Sequence, residues 1–81
     1  MGQLPKKVLD KLNGKKLEDA AATLVYRNYR GEIGKRRIIP IEVYYGSNEY
    51  HKEEQWLLKV WDLDKDDFRD YAMKDILEWK K

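Results

Sequence analysis

Apolar residues at the start of the chain recur at helical spacing. Leu4, Val8 and Leu12 stand four apart, with Leu9 beside them, which places them along one helix face. Pro5 suits a first helical turn and Asn13-Gly14 a helix end, so a short helix is predicted over 5–13. Leu17, Ala20, Ala21 and Leu24 predict a second helical piece over 16–22. Beyond Ala22 the period becomes two. TLVYRNYRG alternates Leu24, Tyr26 and Asn28 against Val25, Arg27 and Tyr29, and GEIG supplies a turn signal with two glycines. KRRIIPIEVYYG, 35–46, reads as a long strand in which Ile39, Ile41 and Val43 oppose Ile38, Glu42 and Tyr44. Pro40 lacks an N–H for a ladder, so this strand lies at an edge or bends there. After the polar stretch GSNEYHKEE, QWLLKVWDL alternates Trp56, Leu58 and Val60 against Leu57, Lys59 and Trp61. DKDD turns the chain, and FRDYAM sets Phe68, Asp70 and Ala72 opposite Arg69, Tyr71 and Met73. DILEWKK closes the chain as a fifth strand or a final helical turn, with Ile76 and Trp79 as packing groups.

Several short strands joined by turns predict a mainly β protein, a small antiparallel barrel. A helical lead-in over 1–16 covers one open end, and 17–81 forms the barrel domain. The length of 81 residues fits one domain with a modest core. Three Trp, six Tyr and one Phe argue for a packed interior despite a charged fraction of 40%.

Charge is unevenly spread. Residues 1–45 carry ten Lys and Arg against five Asp and Glu, and residues 46–81 carry seven against ten, so +5 in front and −3 behind give the net +2. The chain has no cysteine, which removes disulfides and thiolate chemistry and fits a reducing compartment. No apolar run approaches the roughly 20 residues of a membrane span. The first residues, MGQLPKKVLDKLNGKK, lack the apolar core of a signal peptide, and Lys6 breaks the myristoylation pattern. A cytoplasmic protein without a membrane partner is expected.

Catalytic signals are weak. His51 is the only histidine, so with no cysteine a zinc site of ordinary composition is excluded from one chain. His51 is expected as an exposed loop residue. Ser47, His51 and Glu49 share a loop, but only proximity recommends them as a triad. Asp62, Asp64 and Asp66 have the opening spacing of a calcium loop, yet Asp67 and Met73 stand where glycine and glutamate are needed. A solvated acidic turn that keeps a strand end soluble is the simpler reading. GEIGK lacks the spacer and ending of a phosphate loop. No catalytic residue, metal site or cofactor is expected, and the chain is read as a non-enzyme.

The positive constellation is YRNYRGEIGKRR. Arg27, Arg30, Lys35, Arg36 and Arg37 are opposed there by Glu32 alone, and Tyr26 and Tyr29 interleave with them. Arginine forks suit phosphates and tyrosine faces suit bases. Arg69 lies on a later strand between Phe68 and Asp70. The competing account is a solvated hairpin whose arginines pair with the acidic back half, with Arg69 held by Asp62 or Asp64.

Several pieces stand in a suggestive order: Leu17-Glu18-Asp19-Ala20, a strand with Tyr26, Gly31-Glu32, Arg36-Arg37-Ile38-Ile39-Pro40, Trp56-Leu57-Leu58, then Arg69-Asp70-Tyr71-Ala72-Met73 through Ile76. Over residues 17–77 the chain thereby resembles the WYL domain of bacterial and phage regulators. The resemblance implies a five-stranded Sm/SH3-like barrel. It also implies a sensor of nucleic acid or nucleotide-like ligands that regulates an attached or partnered module. The family's binding patch carries over to Tyr26, Arg36 and Arg69; Arg27, Tyr29, Arg30 and Arg37 join it on charge and aromatic interleaving. The chain departs from the pattern at Leu57, where the family has tyrosine, and at Ala72, Lys74 and Asp75 in the closing motif. Sixteen residues of lead-in are too few for the helix-turn-helix that usually precedes the domain. An excised domain or a free-standing small regulator is therefore expected. The expected partner is single-stranded nucleic acid or a nucleotide-like ligand. The alternative is a protein-interaction module or small subunit, docking through a barrel edge or the Trp61/Trp79 surface, with a homodimer as one form.

Overall fold

The computed structural model describes residues 4–49 and 51–80. Helix α1, Lys6–Leu12, ends at Asn13, whose left-handed conformation (φ 49°) lets its N–H donate to the Leu9 carbonyl. Helix α2 is a single turn, Leu17–Ala20. It is shorter than its alanines suggest because Ala22 already pairs with Ile38 in the sheet.

The protein is mainly β, with five antiparallel strands: β1 Ala22–Arg27, β2 Ile33–Gly46, β3 Gln55–Asp62, β4 Asp67–Ala72 and β5 Ile76–Lys80. A 3-10 turn, Met73–Asp75, joins β4 to β5, so the closing segment is both a helical turn and a strand. The order across the sheet is β4-β3-β2-β1-β5. No ladder joins β4 to β5 among the described residues.

The first hairpin turns earlier than its two glycines suggest. β1 stops at Arg27, and Asn28 organises the turn: its Oδ1 accepts N–H bonds from Arg30 and Glu32 at 2.9 and 3.0 Å. Gly31 supplies the left-handed step (φ 82°). Ile33 and Gly34 therefore belong to β2, and Gly34 sits opposite Tyr26.

β2 runs past two partners in turn, pairing with β1 up to Ile38 and with β3 from Ile38 to Gly46. Pro40 falls just beyond the end of β1, where no ladder bond to that strand is required, and the register with β3 shifts between Pro40 and Glu42. This irregularity is the bend expected at the proline. It also changes the alternation. Ile39 and Ile41 are buried on one side, but Val43 falls opposite Leu58 and is exposed.

Two apolar clusters occupy the two faces. One joins Ala22, Leu24 and Tyr26 of β1 to Ile38, Leu58, Val60 and Tyr71. The Tyr26 and Tyr71 rings stand 4.4 Å apart, so the sheet curls enough to bring β1 against β4. The other cluster packs Val8 and Leu12 of α1 on Ile39, Ile41 and Trp61, with Phe68 edge-on to Trp61 at 5.0 Å. The lead-in helix thus covers the second face of β2 and β3, not an open end. Trp61, expected at a docking surface, is 7% exposed beneath it, whereas Trp56 is 57% exposed.

Candidate ligand-binding trough

Strand parity decides which basic residues meet. Leu24 and Tyr26 of β1 are buried in the first cluster, and Arg36 pairs with Leu24 while Gly34 pairs with Tyr26. Arg36 therefore projects on the same face as Tyr26, and Arg37 on the opposite face. On β4 the pairings Val60–Arg69 and Leu58–Tyr71 put Arg69 and Tyr71 on that same face. The curl of the sheet then gathers Tyr26, Arg36, Arg69 and Tyr71 along one open trough of about 1150 Å3, with Tyr29 of the hairpin turn on its rim. That volume is generous for a single small molecule, since ligand pockets typically enclose about 300–1,000 Å3.

The floor is built from two tyrosines whose hydroxyls differ in what they do. The Tyr71 O–H donates to Oδ2 of Asp62 at 3.1 Å. The Tyr26 oxygen accepts the Ala72 N–H at 3.3 Å, and its own proton reaches no acceptor among the described residues. Burial raises the pKa of Tyr26; the Ala72 bond and the Arg36 charge oppose the rise and Asp75 adds to it. Burial likewise raises Tyr71, reinforced by Asp62 and opposed by Arg36 and Arg69. Both phenols stay protonated at neutral pH, and both guanidiniums lie within electrostatic reach of the Tyr71 ring.

Arg36 is the freer cation of the two. It is half-buried, its Nη1 donates to the Lys35 carbonyl at 3.0 Å, and no carboxylate pairs with it among the described residues. Its guanidinium lies over Gly34, where a Cβ would stand 2.6 Å from Nη1. Arg69 is held by Asp67 at 3.0 Å and by the Phe68 carbonyl at 3.0 Å. Its partner is therefore neither Asp62 nor Asp64.

Three of the basic candidates fall outside the trough lining. Arg27 sits on the other face of β1 and reaches Asp75 at 3.4 Å. Arg37 is opposite Thr23, and its carbonyl accepts the Leu63 N–H. Arg30 stays in the turn, its Nε bonded to the Tyr29 hydroxyl at 3.1 Å and its guanidinium 5.5 Å from that ring. Tyr29 is 91% exposed.

Several contributors escaped the sequence reading. Asp62, taken for part of a solvated turn, is 0% exposed. Its Oδ1 accepts the N–H groups of Asp64 and Lys65 at 2.9 and 3.0 Å while Oδ2 holds Tyr71. An aspartate opening a turn is the available signal for the first role, and nothing local signals the second. His51 is half-buried, not exposed: its N–H donates to Asn48 Oδ1 and its Nε2 lies 3.2 Å from the Asp70 carbonyl, on the wall of the trough. Among the described residues, no group of three His, Cys, Asp or Glu side chains is placed to hold a metal ion. None of the described helices is long and apolar enough to cross a membrane. Neither a protein-family model nor a curated protein matches this chain.

Proposed function

We propose that this protein is a non-enzymatic, WYL-like regulatory module of the cytoplasm that binds single-stranded nucleic acid or a nucleotide-like ligand in the Tyr26–Arg36–Arg69–Tyr71 trough. The observation that carries the reading is Arg36, a half-buried residue whose guanidinium has no carboxylate partner among the described residues, on the same trough as a buried tyrosine whose hydroxyl proton reaches no described acceptor. An arginine fork lining a trough with no carboxylate partner among the described residues is a ready site for an anion. Tyr29 on the rim offers a ring for base stacking. The curl that brings the Tyr26 and Tyr71 rings together supports an Sm/SH3-like barrel as the parent architecture. The test is fluorescence anisotropy with labelled single-stranded DNA and RNA at low and moderate salt. Saturable binding that weakens with salt is expected, and absence of binding at low salt removes the nucleic-acid reading.

A second reading rests on a different surface. Tyr45 and Trp56 form an edge-on pair at 5.3 Å on neighbouring strands and are both exposed, with Val43 exposed on the same two strands. Exposed tryptophan is a common anchor of protein interfaces. A protein-interaction module or homodimer would use this face and Trp79, with little salt dependence.

A further inference from the structure

The charges around the trough are nearly balanced, and this limits what it holds. Its cationic lining consists of Arg36, Lys52, Lys65, Arg69 and Lys74. Its acidic lining consists of Glu49, Glu53, Asp70 and Asp75. Three of these are committed to partners outside the lining: Arg69 to Asp67, Asp70 to Lys59 and Asp75 to Arg27. Four cations then remain against two carboxylates, a surplus of two positive charges. A phosphate monoester carries a charge of about −1.5 to −2 near neutral pH. One such group satisfies the surplus, and each further phosphate of a strand would bring charge that no remaining cation of the lining offsets.

The hydrogen-bond geometry agrees. Tyr26 is buried, its oxygen accepts the Ala72 N–H, and its proton reaches no acceptor among the described residues; Tyr26 and Arg36 both line the trough. A hydroxyl donor and a guanidinium without a carboxylate partner among the described residues, both on one trough, suit one anionic group. Among the described residues lining the trough, Tyr29 is the tyrosine with its ring in solvent, because the Tyr26 and Tyr71 rings are buried against each other.

Resting on the nucleotide reading above, we infer that the trough selects a single phosphate monoester joined to a planar ring, with the phosphate on Arg36 and Tyr26 and the ring on Tyr29, and that it does not track along a polynucleotide. A free nucleoside monophosphate and the 5′-phosphorylated end of a strand share this chemistry.

The deciding experiment is calorimetric titration of the whole chain with the four nucleoside 5′-monophosphates, their nucleosides, and oligothymidylates of increasing length with and without a 5′-phosphate. The monophosphates should bind at least about ten-fold more tightly than the nucleosides, with a log affinity against log salt slope of about −1 to −2. Strand length should add nothing. Strands that bind only when 5′-phosphorylated would assign the site to strand ends, and equal binding of free monophosphates would assign it to nucleotides. Arg36→Gln and Tyr26→Phe should each weaken the monophosphate by about ten-fold, while Arg37→Gln changes it less than two-fold. Arg36→Gln alters a half-exposed side chain and keeps the test valid if Tyr26→Phe disturbs the core. Affinity that climbs with length at a slope steeper than about −4 overturns the inference but keeps the nucleic-acid reading. Failure of every nucleotide and strand to bind overturns both. Monophosphate binding indifferent to Arg36→Gln overturns the placement.

Discussion

Tyr71 on β4 donates its hydroxyl proton to Asp62 on β3 at 3.1 Å, inside the protein. The same carboxylate holds the turn between these strands through the Asp64 and Lys65 N–H groups. One buried aspartate thus ties a turn to the floor of the trough. Asp62→Ala strands two backbone donors and one phenol, so a loss of about 2–4 kcal/mol is expected. Tyr71→Phe leaves the turn bonds intact and should cost about 1–3 kcal/mol. Urea unfolding of both variants checks the order; equal or reversed losses would remove Asp62 from this role.

The same pair makes stability depend on alkaline pH. The folded-state pKa of Tyr71 is raised above its ordinary value of 10.0, first by burial and then by Asp62. A raised pKa means that the folded state holds the phenolic proton more tightly than the unfolded chain. Its contribution is therefore complete below pH 10 and declines as pH rises beyond it. Tyr26 is shifted in the same direction. The unfolding midpoint should fall steadily above pH 10, and Tyr71→Phe should flatten that fall. A midpoint equally steep in the variant would assign the alkaline loss to other groups.

Neighbouring arginines should differ sharply in function. Arg36 faces the trough and Arg37 faces away. Arg36→Glu combined with Arg69→Glu should reduce oligonucleotide or nucleotide binding by at least about 100-fold with the circular dichroism spectrum preserved, because two attractive terms become repulsive. Arg37→Glu should change binding by less than about three-fold, since it alters only the distant field. Anisotropy titrations of the three proteins at one salt concentration make the comparison. Similar losses in both would show that bulk charge, not the trough, governs binding.

Gly34→Ala separates binding from stability. The added Cβ would meet Arg36 Nη1 at 2.6 Å, and that atom is the far end of a flexible side chain. The guanidinium should move while the strand survives, with stability changed by less than about 1 kcal/mol. Ligand affinity should fall by several-fold. Undiminished affinity would mean that the position of Arg36 over Gly34 is immaterial.

The lead-in helix should be part of the cooperative fold. Leu12 is buried against the Ile39–Ile41–Trp61 cluster. Leu12→Ala should lose about 2–5 kcal/mol, a large share of the stability of so small a domain. Guanidinium unfolding followed by tryptophan fluorescence would show it. A loss under about 1 kcal/mol would mean that α1 is a detachable appendage.

What the sequence determined by itself is local. Period-four and period-two spacing placed α1 and the first four strands and left the closing segment as a strand or a helical turn, because the faces of helices and strands are written directly into neighbouring residues. Pro40 marked the bend for the same reason: a missing N–H is a property of the residue. The hairpin was displaced because Asn28 competes for the turn through its side chain, and glycine spacing alone does not show which turn wins. Tertiary structure decided the rest. The register shift after Pro40 exposed Val43, and the landing of α1 buried Trp61 while leaving Trp56 in solvent. Tyr26, Arg36 and Arg69 share a trough only because the sheet curls to bring β1 against β4. Arg27, Arg30 and Arg37 lie close to them in sequence yet outside the lining. Asp62 reads as one more acid in a charged turn, and what distinguishes it is a phenol from the next strand, a contact set by pairing register.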